Sequence, residues 1–199
     1  MKKRVALARA HGVAVALPLA LSLSAIAAFA DSTTSAPGTS APALTTSAGQ
    51  PAAIETKAYI EQAAAADRFE IDSSKLAEER SKDKQVQAFA KMMVHDHTAS
   101  TAKLKADLKA SKMDTPPASL PADLQTRLDG LKAESAENFD AAYIKAQLQA
   151  HQTALQLHQS YAAKGADKKL RSFAAQTATV VQKHLDQVQM LAKKLNISA

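Results

Sequence analysis

The stretch Val86-Gln87-Ala88-Phe89-Ala90-Lys91-Met92-Met93-Val94-His95-Asp96-His97-Thr98 decides how this chain folds. With successive residues about 100° apart around a helix, Val86, Phe89, Ala90, Met93 and His97 fall on one face. Leu104 and Leu108 continue that face. His95 points almost the opposite way, toward solvent, and Asp96 lies on the flank. The segment therefore reads as an amphipathic helix with a single histidine, His97, in its apolar stripe. His95 and His97 cannot close on one ion from a regular helix. Met93, one turn before His97, offers a soft thioether suited to copper, although a methionine at this spacing ordinarily packs.

The same period holds on either side, from Ile54 to Asn196. A first helix is expected from about Glu55 to Arg80, and a second, capped by Asp83, to about Lys112. Thr115-Pro116-Pro117 breaks the chain, because each proline removes a donor and restricts the residue before it. A short helix from Pro121 to about Leu131 follows. Ser135 could cap a third long helix ending near Lys164-Gly165, with glycine in its usual C-terminal place. Asp167 could cap a fourth, reaching about Leu195. Four long helices and two very short turns predict an all-α, up-down-up-down four-helix bundle with a short extra helix between helices two and three.

Each long helix carries one ionisable residue on its inward face: Glu70, His97, His151 and His184. Glu70 sits among Ala63, Ala66, Ser73, Ser74 and Ala77, whose small side chains admit a close neighbour. His151 and His184 lie within the stripes of helices three and four, and His158 reads as a core-filling residue. With both short turns at one end, the two pairs Glu70/His97 and His151/His184 sit about 20 and 25 Å from that end. The four side chains can then meet. Three imidazoles and a carboxylate suit one Zn, Fe, Mn or Cu ion, with Asp96 as a supporting carboxylate. The alternative is a metal-free hydrogen-bond network among the same groups. No Gly-rich phosphate loop, nucleophile elbow or His-Glu-x-x-His motif is present, so the residues give no catalytic assignment.

Charge and composition narrow the setting. The formal charge of +6 comes largely from Lys2, Lys3, Arg4 and Arg9; beyond residue 30, 25 − 4 = 21 basic residues face 19 acidic ones. That near balance, alternating along helices, argues against nucleic-acid binding. With no cysteine in the chain, disulfides, thiolate metal sites and a bacterial lipid anchor are excluded. The basic start, the apolar run Val13 to Phe29 and the Ala28-Phe29-Ala30 ending read as a signal peptide over residues 1–30, cleaved near Ala30. Residues 31–53, rich in Ser, Thr, Ala and Pro, read as a disordered linker. The bundle domain is expected over 54–196, in a protein that is periplasmic or secreted.

Residues 59–192 resemble the bacterial family called domain of unknown function 4142. The resemblance is carried by Glu70 after an Ala-rich turn, the Val86–Thr98 stretch, Phe139-Asp140-Ala141-Ala142-Tyr143 with His151, and Leu170-Arg171-Ser172-Phe173-Ala174 with His184. It implies a ferritin-like four-helix bundle, export, periplasmic or outer-membrane association, and no assigned activity. Ferritin-like di-iron bundles carry a Glu-x-x-His pair on each of two helices. Here Val94 and Val181 stand three residues before His97 and His184, so a di-iron centre is not expected. Two readings follow: an exported bundle binding one transition metal, or a metal-free envelope interaction or stress-related structural module with an envelope protein partner.

Overall fold

Aspartate caps start two of the long helices in this protein. In the computed structural model, which describes residues 55–198, the Asp83 side chain accepts from the backbone N–H groups of Gln85 and Val86 at 2.7 and 3.1 Å. Asp167 accepts from that of Leu170 at 2.7 Å. Each carboxylate satisfies donors that the first helical turn leaves unpaired. The helices are α1 (Thr56–Arg80), α2 (Lys84–Ala110), α3 (Ala122–Ala133), α4 (Phe139–Lys164) and α5 (Lys168–Lys194). Among the described residues every element is helical. The expected signal peptide and linker lie outside the described residues.

Two local expectations need correcting. Ser135 does not cap the third long helix. Its hydroxyl accepts from the Asn138 N–H at 3.3 Å, in a turn that ends where α4 begins at Phe139. Gly165 follows α4 with φ −60°, an ordinary conformation. What demands a glycine there is space, since a Cβ would stand 2.5 Å from the Tyr161 ring.

The helix directions also differ from expectation. Thr56 at the start of α1 bonds Tyr161 near the end of α4 (2.9 Å), and Ser74 late in α1 bonds Tyr143 early in α4 (2.8 Å). Arg80 closes the same end. It donates to the carbonyls of Leu131 (2.8 Å), Lys132 (2.9 Å) and Glu134, and its guanidinium lies 4.5 Å over the Phe139 ring. Helices α1 and α4 are therefore antiparallel, as are the hairpin pairs α1/α2 and α4/α5. The order is up-down-down-up, with residues 111–138 crossing the length of the bundle, and not up-down-up-down. Thr115-Pro116-Pro117 ends α2 as expected, but the segment after it spans the bundle instead of turning back. α3 packs on α1 and α4 along the way.

The interior is apolar at both ends and polar at mid-height. One cluster gathers Val86, Phe89, Met93, Phe139, Tyr143 and Val188; the other gathers Tyr59, Leu104, Leu108, Tyr161, Leu170 and Phe173. The buried groups of α2 are those its helical phase predicts: Val86, Phe89, Ala90, Met93, His97, Leu104 and Leu108. Met93 is fully buried in the first cluster and packs there. Of the buried polar groups, Asp67, Glu70, His97, His151 and His184 lie near the centres of their helices.

Candidate metal centre

Three helices each bring one imidazole to the middle of the bundle: His97 from α2, His151 from α4 and His184 from α5. Their ring centroids form a near-regular triangle with sides of 5.7, 5.5 and 5.5 Å. One ring nitrogen of each lies within 4.8 Å of the others. A common point then lies no more than 4.8 Å/√3, about 2.8 Å, from all three. Ligand bonds of about 2.0–2.1 Å to that point then require an inward movement of at most roughly 0.8 Å per ring.

The mid-height convergence survives the corrected topology for a simple reason. In the two helices whose direction is reversed, His151 lies 12 residues after Phe139 and 13 before Lys164, and His184 lies 16 after Lys168 and 10 before Lys194, within about a turn of the midpoint. Reversing a helix about its midpoint leaves the height of its central residue unchanged.

Every ring is held by one nitrogen. His97 Nδ1–H donates to Asp67 Oδ1 at 2.8 Å, His151 Nδ1–H to the Gln147 carbonyl at 2.9 Å, and His184 Nε2–H to Asp96 Oδ2 at 2.9 Å. Those acceptors fix the tautomers and leave the opposite nitrogens, His97 Nε2, His151 Nε2 and His184 Nδ1, without a hydrogen-bond partner in the protein. A buried polar atom left so costs about 1–3 kcal/mol. Metal-ligating histidines characteristically donate their other ring N–H to a carboxylate or a backbone carbonyl. The donor set therefore fits one transition-metal ion.

Glu70 is placed differently from the expectation of four converging ligands. It is buried on α1, both its oxygens lack a hydrogen bond, and Oε1 lies 3.7 Å from His151 Nδ1. That is the side of the ring already engaged with Gln147, so Glu70 borders the histidine cluster without belonging to it. Asp96 accepts from His184 Nε2 at 2.9 Å and also from His95 Nδ1 at 2.7 Å. His95 is exposed, as its phase requires. Asp67 is the buried partner that the inward-face assignment overlooked. It orients His97 with Oδ1 and accepts from the Thr101 hydroxyl at 3.2 Å with Oδ2. Its signal was present in the sequence. It stands four residues after Ala63 and three before Glu70, on the same helical stripe.

The electrostatics separate the groups. Burial and the nearby His97 charge lower the His151 pKa to about 3, and burial lowers that of His184 against the pull of Asp96. Burial also opposes charge on His97, but its Asp67 bond and the Glu70 carboxylate outweigh it and raise the pKa. Burial raises Glu70 to about 7, against the attraction of His97. Burial thus favours the neutral, metal-competent form of His151 and His184, while the carboxylates around His97 favour its charged form. His158, two turns beyond His151, is a core residue as expected: its Nδ1 is hydrogen-bonded to the Tyr59 hydroxyl at 3.0 Å, and burial lowers its pKa to about 4.

An all-helical bundle with three converging, oriented and buried imidazoles is the class of protein that fold and cluster define. The chain matches the family described as "Domain of unknown function (DUF4142)" over residues 41–191, and it belongs to that family. No curated protein matches it. Among solved structures it is similar to a DUF305 fragment from Deinococcus radiodurans, with 12% identity, a TM-score of 0.61, and coverage of 68% of this chain and 93% of that one. It is also similar to a DUF305 protein from Streptomyces coelicolor, described as a candidate secreted protein, with 10% identity, a TM-score of 0.59, and coverage of 72% and 95%. At these identities the likeness is one of helical fold.

Proposed function

We propose that this protein is an exported helical bundle that binds one transition-metal ion through His97 Nε2, His151 Nε2 and His184 Nδ1. Asp67, Asp96 and the Gln147 carbonyl orient the rings. The single observation that carries the reading is the split in each imidazole, one nitrogen anchored and the other buried without a partner. A metal-free network would be expected to pair those inner nitrogens. Neutral imidazoles suit zinc, copper, iron and nickel, and copper(II) and zinc lie at the tight end of the divalent series. With a single set of three histidines and no Glu-x-x-His pair, the site is mononuclear. The one long crossover between two hairpins is the connection pattern of ferritin-like bundles, which supports that relationship. Export is supported by the basic start and small-x-small ending of residues 1–30. No helix among the described residues is long and apolar enough to cross a membrane.

Metal content of untagged protein, reloaded with zinc and desalted, tests this reading. Wild type and Glu70→Gln are expected to retain about one ion per chain, and His151→Ala less than about a tenth of one. Wild type retaining under a tenth overturns the proposal.

A further inference from the structure

A groove of about 310 Å³ opens between α2 and α5 directly over the histidine cluster. These two helices pack more sparsely than either hairpin pair. His97 and His184 line its floor, Phe173 and Val181 form apolar walls, and Thr177 and Val180 stand toward its mouth. Its charged side chains are already paired: Asp96 holds His184 and His95, and Lys103 bonds Asp107 at 2.9 Å. Three protein ligands leave a tetrahedral ion one position short, and a fourth ligand comes either from the protein or from solution. Among the described residues beside the rings, Glu70 and Gln147 carry buried side-chain oxygens without a hydrogen-bond partner, and both belong to the anchored side of His151: Glu70 Oε1 lies 3.7 Å from its Nδ1, and the Gln147 carbonyl accepts from that nitrogen. No fourth histidine or carboxylate among the described residues joins the three imidazoles.

We infer that the metal keeps one coordination position open toward the α2–α5 groove, and that this position takes a small monodentate oxygen- or nitrogen-donor ligand from solution. The inference rests on the three-histidine reading above. The groove is wide enough for a molecule of a few heavy atoms, and it offers no free charge to grip a large anion. Exchange at an open position lets the ion bind and release a small molecule without unfolding the bundle, which a closed structural site cannot do.

Azide added to cobalt(II)-loaded protein provides the test, with cobalt content measured in the same samples. Wild type is expected to hold about one cobalt and to show a saturable change in its visible spectrum. Val180→Trp alters a groove-lining residue that is 41% exposed and is not one of the three histidines. It is expected to keep the cobalt and weaken the azide response at least tenfold. Met190→Trp, at an exposed residue lining a different groove, leaves the response intact. One bound cobalt with no azide response overturns the open position alone. Equal weakening by both tryptophans overturns the assigned route. No bound cobalt overturns the metal reading and this inference together.

Discussion

His97 Nδ1 on α2 lies 2.8 Å from Asp67 Oδ1 on α1, and both side chains are buried. The contact joins the one long helix that supplies no imidazole to the cluster. It also sets the tautomer of His97, because a carboxylate can only accept, and Nε2 is the nitrogen left buried without a partner.

Asp67→Asn is therefore expected to weaken metal binding by about 10–100-fold, the usual effect of losing a carboxylate behind a ligating histidine. Competition against a chromophoric chelator measures it. An unchanged dissociation constant would show that Asp67 serves packing alone.

His158 makes the metal-free protein sensitive to acid. Its pKa in the fold is about 4 against a reference of 6.5, so between those values the unfolded chain holds more protons. Stability contributed by its neutral form is complete above about pH 6.5 and is lost as pH falls toward 4. The shift corresponds to roughly 3 kcal/mol at 1.36 kcal/mol per unit. His151 acts in the same direction and Glu70 in the opposite one, so the comparison must be between variants. Urea unfolding at pH 7 and pH 4 should show His158→Gln losing less stability on acidification than wild type, by about that amount. Equal losses would refute the assignment.

Gly165→Ala is expected to destabilise the protein by about 1–3 kcal/mol, the usual range for forcing extra volume into a packed site. The new Cβ would meet Tyr161, whose ring stacks on Tyr59 at 3.8 Å. Denaturant midpoints at constant slope check this; an unchanged midpoint would show that the Tyr161 ring yields freely.

The sequence carried the helices and most of the inward faces, because both depend on local period and capping. Asp83 and Asp167 as caps, and His97 inside with His95 outside, follow from residues within two turns of each other. Helix direction depends on where a long connection travels, and no local pattern in 111–138 distinguishes a turn back from a crossing. Arg80 settles the direction through contacts with Leu131, Lys132 and Phe139, 51 or more residues away. Helical phase puts Glu70 on the inward face, yet phase alone does not tell which side of the His151 ring it meets. Asp67 lay on the same stripe and was legible in principle, since a buried carboxylate beside an inward histidine is its natural hydrogen-bond partner.

X-ray absorption on the zinc-loaded protein reads the ligands around the ion themselves. Three imidazole nitrogens and one light-atom ligand at about 2.0–2.1 Å around a single ion are expected, with loss of the imidazole scattering pattern in His97→Ala or His184→Ala. A shell with fewer than two imidazoles, or one unchanged in both variants, would contradict ligation by the three histidines.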